Sequence, residues 1–229
     1  MTYVASYPPV PPSSEIKAIE TRYAGCFFRS RLEARWAVFF DAMGVPWDYE
    51  PERHMVGHMW KRCAHQDECA CPERQLSYLP DFFLPRSGTW IEVKGDIRKF
   101  DRQLLAESVD WGVGLPGTVD SAGTHRGLLL LGSIPRPHPY ETPVHPILQH
   151  HKGGFVNMAW FEAGGFLCVD QTCYDTYFDS TSDGLRSQSA WGPIQRQWSE
   201  RPYVSEGPAE PEMLTALAAA RSARFEEHQ

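Results

Sequence analysis

The sequence predicts an α/β fold, a mixed β-sheet flanked by helices, with a Cys/His-rich insert and a C-terminal extension. Three observations carry this. Within residues 30–43, Leu32, Trp36, Phe39, Phe40 and Met43 recur at helical spacing and form one apolar stripe. Residues 78–84 and 89–94 are strand-like apolar runs, separated by the turn residues Pro85, Arg86, Ser87 and Gly88. Residues 127–131 form an unbroken apolar run suited to a buried central strand.

The elements follow in order. Residues 1–20 are rich in Pro and Ser and predict a flexible lead. In the first helix, Ser30 and Glu33 fit a capping box and Gly44 fits a stop. Residues 45–50 hold Val, Trp and Tyr and predict a strand. The hairpin over 78–94 comes next, then a helix over 97–111 with Phe100, Leu104 and Trp111 among its apolar positions. Residues 134–146 predict a Pro- and His-rich connection, and His138, His145, His150 and His151 are expected in solvated loop. Residues 155–161 and 166–169 predict a hairpin around Ala163, Gly164 and Gly165, and residues 211–226 an Ala-rich helix opened by Pro211. Trp191 and Trp198 are expected in the core rather than stacked on bases. Together these predict a core over residues 21–150, with an insert over 53–76, and an extension over 151–229.

The chain has 229 residues, 42% of them hydrophobic, which suits a globular protein rather than a disordered one. It has no apolar run long enough to span a bilayer, and its N-terminus lacks the basic start and apolar middle of a signal peptide. A cytoplasmic location without a membrane partner is expected, in the host cell if the chain is phage-encoded. The net charge of −7 argues against coating nucleic acid by bulk charge. It leaves open a nuclease, whose metal ions supply positive charge locally.

Asp81, Glu92 and Lys94 are charges set inside apolar, strand-like runs. Such charges are costly to bury unless they are paired or bind a metal. Alternation along a strand puts Glu92 and Lys94 on one face, and a regular hairpin brings Asp81 to Glu92. Two adjacent carboxylates resist joint ionisation, and a hard cation such as Mg²⁺ or Mn²⁺ removes that conflict. A cation there can bind a phosphate oxygen and lower the pKa of a bound water, while Lys94 orients or helps deprotonate that water, or offsets charge in the transition state. Glu33, at the edge of the helical stripe, is a candidate third ligand. Arg29, Arg31, Arg98 and Lys99 are candidate nucleic-acid contacts.

Six cysteines do not suggest a disulfide scaffold, but Cys63, His65, Cys69 and Cys71 stand close together. They are candidate ligands for a structural Zn²⁺. His54 and His58, or Cys168 and Cys173, are alternative ligands; an iron–sulfur cluster and free thiols are the other readings.

The string from Tyr23 through Phe28, Arg29, Ser30, Leu32 and Glu33, then Tyr49-Glu50-Pro51-Glu52, Tyr78-Leu79-Pro80-Asp81-Phe82 and Glu92-Val93-Lys94, resembles the PD-(D/E)xK nuclease superfamily. It is most similar there to actinobacterial and phage members and to TnsA-like transposon endonucleases. The resemblance spans residues 22–132. It implies a restriction-endonuclease-like core and Mg²⁺-dependent hydrolysis of DNA phosphodiesters. Asp81 and Glu92 would be metal ligands, Glu33 an accessory ligand, Lys94 the catalytic lysine, and the Val93 backbone carbonyl would face the metal. Relatives serve restriction, repair, recombination and transposition, and some only bind. Double-strand cutting often uses two active sites, which suits a homodimer. The acidic balance and the unmatched tail suit a partner protein, leaving a nuclease-fold DNA-binding or assembly subunit as the alternative.

Overall fold

The computed structural model describes residues 19–57, 76–109, 114–117, 127–150, 154–170, 177–178, 188–199, 202 and 204–225. It opens with strands β1 (Thr21–Tyr23) and β2 (Cys26–Phe28), a hairpin whose turn holds Ala24 at φ 49° and Gly25 at φ 81°. Helix α1 (Arg31–Met43) follows. Ser30 caps it by accepting the Glu33 N–H at 3.2 Å, and Gly44 closes it in the left-handed region at φ 68°.

The sheet strands then appear in turn: β3 (Asp48–Tyr49), β4 (His54–Val56), β5 (Leu76–Tyr78), β6 (Phe82–Leu84) and β7 (Thr89–Val93). The predicted strand over 78–84 is divided. β5 pairs with β4 in a small separate sheet, while β6 joins β3 and β7. Pro80 lies at the break, and without an N–H it cannot continue a ladder. The predicted helix over 97–111 is also divided. Asp96 caps a single 3₁₀ turn, Ile97–Lys99, and Asp101 caps α2 (Arg102–Ser108) by accepting from the Gln103 and Leu104 N–H groups. Trp111 lies outside the described residues.

Residues 127–131 yield β8 (Leu128–Leu131), buried along its whole length. The region expected as a loop instead contains β9 (Glu141–Pro143) and β10 (His145–His150), and His145 is buried rather than solvated. Pro146 lies within β10, and pairing with β8 stops one residue away, at Ile147. Next come β11 (Gly154–Glu162), β12 (Phe166–Asp170), β13 (Tyr177–Phe178), α3 (Gln188–Gln197), β14 (Val204–Glu206) and α4 (Pro211–Ser222), the last with Pro at its start. β14 pairs with β9.

The central sheet has eight strands, in the order β12-β11-β10-β8-β7-β6-β3 with β13 beside β11. β7 and β8 run parallel and the other pairs antiparallel, so the sheet is mixed, as expected. The hairpin of the C-terminal extension continues this same sheet through β10. Alternation sorts the side chains into two apolar layers. Ile91, Val93, Leu129 and Leu131 pack with Phe39, Phe40 and Trp36 of α1 and Leu217 of α4. Trp90, Leu128 and Leu130 pack with Leu105 of α2 and with Trp191 and Ile194 of α3. Helices therefore flank both faces. No helix among the described residues is long and apolar enough to cross a membrane.

Candidate functional site

Leucine and aromatic burial on both faces fixes the register of the β6–β7 hairpin, with Phe82 opposite Ile91. The ladder reaches one residue further, where the Asp81 N–H donates to the Ile91 carbonyl at 3.0 Å. This sets Asp81 against Glu92. Asp81 is 0% exposed and Glu92 7%. Each carboxylate oxygen has a donor. Asp81 Oδ2 accepts the Val93 N–H at 2.7 Å, and Oδ1 accepts from Arg29 Nη2 at 2.5 Å. Glu92 Oε2 accepts the buried Tyr78 hydroxyl at 2.8 Å, and Oε1 pairs with Lys94 Nζ at 2.5 Å. Lys94 Nζ also lies 3.7 Å from Asp81 Oδ2, so one ammonium serves both acids.

The electrostatics follow from this packing. Burial and the Glu92 charge push the Asp81 carboxyl up to about 8, against the opposing pull of Lys94. Partial burial works against the Lys94 charge, but Asp81 and Glu92 outweigh it and hold the ammonium above its ordinary value. Burial, then the Glu92 charge and hydrogen bond, raises the Tyr78 phenol well above 10.0.

Glu33 is buried on α1 but does not join the pair directly. Its Oε1 accepts the Ser30 hydroxyl at 2.8 Å, and its Oε2 accepts the Tyr49 hydroxyl at 2.7 Å and the Arg29 N–H at 3.1 Å. It reaches Asp81 through Arg29. Besides holding Asp81, that guanidinium pairs through Nε with Glu50 Oε1 at 2.5 Å. Glu50 itself has φ 43°, a left-handed conformation uncommon outside glycine, and its N–H donates to the Asp81 carbonyl at 3.0 Å. Arg29, read from sequence as a nucleic-acid contact, is here the cation that ties Asp81, Glu33 and Glu50 together.

The other predicted residues are dispersed. Arg31 begins α1 beside this cluster and is half-buried. Arg98 and Lys99 are exposed on the 3₁₀ turn after Lys94, and Arg98 pairs with Asp96 at 2.7 Å. Val93 ends β7. Cys63, His65, Cys69 and Cys71, with His58 and Cys173, lie outside the described residues. His54 Nε2 lies 3.6 Å from Glu52 Oε1, and Cys168 is a half-buried free thiol.

Sequence reasoning missed four participants: Tyr49, Glu50, Tyr78 and Trp198. The first three stood inside the strings that carried the resemblance, but only the fold shows what they touch. The Trp198 indole N–H donates to the Lys94 carbonyl at 2.9 Å, across 104 residues of sequence.

Among the described residues no three His, Cys, Asp or Glu side chains converge into a ready metal cage. Asp81 and Glu92 nonetheless form an all-oxygen donor pair, and each oxygen keeps lone-pair capacity beyond its present donor. That chemistry fits Mg²⁺ or Mn²⁺ and not a soft-ligand metal. Comparison with protein-family models, with curated proteins and with solved structures finds no match.

Proposed function

We propose that this chain is a metal-dependent DNA nuclease of the PD-(D/E)xK kind, in which Asp81 and Glu92 hold Mg²⁺ or Mn²⁺ and Lys94 serves the reaction. The observation that carries the reading is the pair of buried carboxylates, Asp81 and Glu92, sharing the single ammonium of Lys94. A core built only for stability gains little from such a cluster, because desolvation offsets much of its attraction. A bound divalent ion would supply positive charge at a phosphate oxygen and a water of lowered pKa.

The chain's own residues define the remaining roles. Lys94 remains an ammonium at neutral pH in this arrangement, so it donates hydrogen bonds and offsets developing negative charge rather than taking a proton. Tyr78 orients Glu92, and the Val93 N–H orients Asp81. The Arg29 side chain, 54% exposed, is the cation best placed to exchange a carboxylate for an incoming phosphate oxygen.

One observation favours a second reading, a nuclease-fold subunit that binds DNA or a partner without cutting. Lys94 and Arg29 already satisfy both acids without any metal. A cleavage panel separates the two. Purified protein is incubated with single-stranded, double-stranded and branched DNA and with RNA, each with Mg²⁺, Mn²⁺ or chelator. Metal-dependent cutting of DNA, lost with chelator, is expected; no cutting of any substrate in either metal contradicts the enzyme reading.

A further inference from the structure

Lys94 leaves β7 at the point where two parallel strands end together. Its N–H donates to the Leu131 carbonyl of β8 at 2.9 Å. Its carbonyl accepts the Trp198 indole N–H at 2.9 Å, from the residue just after α3. The indole is held from two sides. The Phe100 ring meets it edge-on at 5.2 Å between centroids. Gly132, the residue after β8, lies so close that a Cβ there would stand 3.1 Å from Trp198 Nε1 and Cε2. The Gly132 carbonyl is in turn fixed by the Trp36 indole N–H of α1 at 2.8 Å. Two tryptophans, one from each helical layer, thus clamp the ends of β7 and β8.

We infer that Trp198 is a positioning residue for Lys94, so that the end of α3, far along the chain in the C-terminal extension, completes the candidate catalytic site. The inference rests on the nuclease reading for its kinetic consequence, and on packing alone for its structural one. The Lys94 ammonium must stand between two carboxylates, and its side chain starts from the backbone that Trp198 holds. Without the indole N–H, the Lys94 carbonyl loses its partner, the residue turns more freely, and the ammonium spends less time between Asp81 and Glu92. A substrate-binding role is not implied, because Trp198 is partly buried against Phe100 and the Trp191 layer.

The test uses the full chain with Trp198→Phe, which keeps an aromatic ring and removes the donor. Two readouts are taken: kcat and KM for Mg²⁺-dependent DNA cleavage, and the rate at which a trace acylating reagent modifies the Lys94 amine, read by mass spectrometry. The expected result is a kcat about tenfold lower, KM and thermal midpoint near the parent's, and faster Lys94 acylation. Trp198→His, which restores a ring N–H, recovers part of both. Unchanged kcat and acylation overturn the inference, as does a rise in KM alone or a kcat loss that merely tracks unfolding. If the parent cuts no DNA, the nuclease reading falls, while acylation still decides this one: an unchanged rate overturns it and a faster rate supports it. If Trp198→Phe does not fold, Gly132→Ala takes its place, because its methyl displaces the indole by a few tenths of an ångström. It is expected to give a smaller change in the same direction, and no change overturns the inference.

Discussion

Two sets of polar side chains are buried in the central sheet, and they are built in opposite ways. At the end of β6 and β7, Asp81, Glu92 and Lys94 are charged groups, with Tyr78, Arg29 and the Val93 N–H supplying further donors. On β10 and β11, His145, Gln149 and Asn157 are neutral. The Asn157 amide donates to Gln149 Oε1 at 2.7 Å, while His145 Nδ1 and Gln149 Nε2 find no partner among the described residues. His145 rests edge-on against Trp36 at 5.5 Å, and burial lowers its pKa to about 4. The neutral set costs a few imperfect hydrogen bonds and can be tolerated as structure. The charged set keeps two acids together at the mouth of a strand pair, where each opposes the other's ionisation, and a fold seldom retains such a pair without a use for it.

The largest expected effect breaks the charged set. Asp81→Ala or Lys94→Ala is expected to lower Mg²⁺-dependent cleavage by about 10³-fold or more, with circular dichroism and thermal midpoint showing a folded protein. A smaller effect is expected from Arg29→Ala. Asp81 then loses its guanidinium, and the metal-free protein should lose about 1–2 kcal/mol in urea unfolding, a figure reduced because the arginine is half exposed. Added Mn²⁺ should restore part of that loss. If Mn²⁺ restored none, the compensation between cation and carboxylate would be wrong.

The two sets also predict opposite pH slopes. Asp81 titrates at 3.8 unfolded and at about 8 folded, so its contribution favours the folded protein below 3.8 and is lost as pH rises to about 8. His145 titrates at 6.5 unfolded and at about 4 folded, so its contribution is present above 6.5 and is lost as pH falls to about 4. The windows oppose each other between about 4 and 6.5, and only Asp81 acts between 6.5 and about 8. Metal-free Asp81→Asn should therefore lack the decline in stability that the parent shows from pH 6.5 to 8 in urea titrations. The smallest effect belongs to His145→Phe. Ring packing on Trp36 is kept, stability at pH 7 should move by less than about 1.5 kcal/mol, and stability should rise as pH falls from 6.5 toward about 4, because the opposing His145 contribution is gone and that of Asp81 remains. DNA cleavage should not change.

The same contrast explains what the sequence made legible. Asp81, Glu92 and Lys94 stood out because charges interrupted strand-like apolar runs, and alternation with a short turn left little freedom in how they meet. The run at residues 127–131 announced the buried strand β8 in the same local way. His145 was misread because the prolines around it suggest loop, whereas Pro143 and Pro146 are accommodated where β-pairing with β8 is absent. The division of the predicted helix over 97–111 turned on two aspartates, Asp96 and Asp101, each acting as a cap. Arg29 with Glu50, and Trp198 with Lys94, are contacts between distant segments, and no local pattern encodes them. Glu33 shows both limits: its cap was legible, but its bond to Tyr49 was not.

The central claim is that Asp81 and Glu92 hold a divalent ion where Lys94 serves the chemistry. Calorimetric titration of Mn²⁺ into the parent and into Asp81→Asn, at pH 6.5 and pH 8.5, tests it most directly. Because binding requires the ionised carboxylate, the parent should bind more tightly at the higher pH and release protons on binding, and Asp81→Asn should lose the site. Equal binding by both proteins, or none by the parent at either pH, would contradict the account.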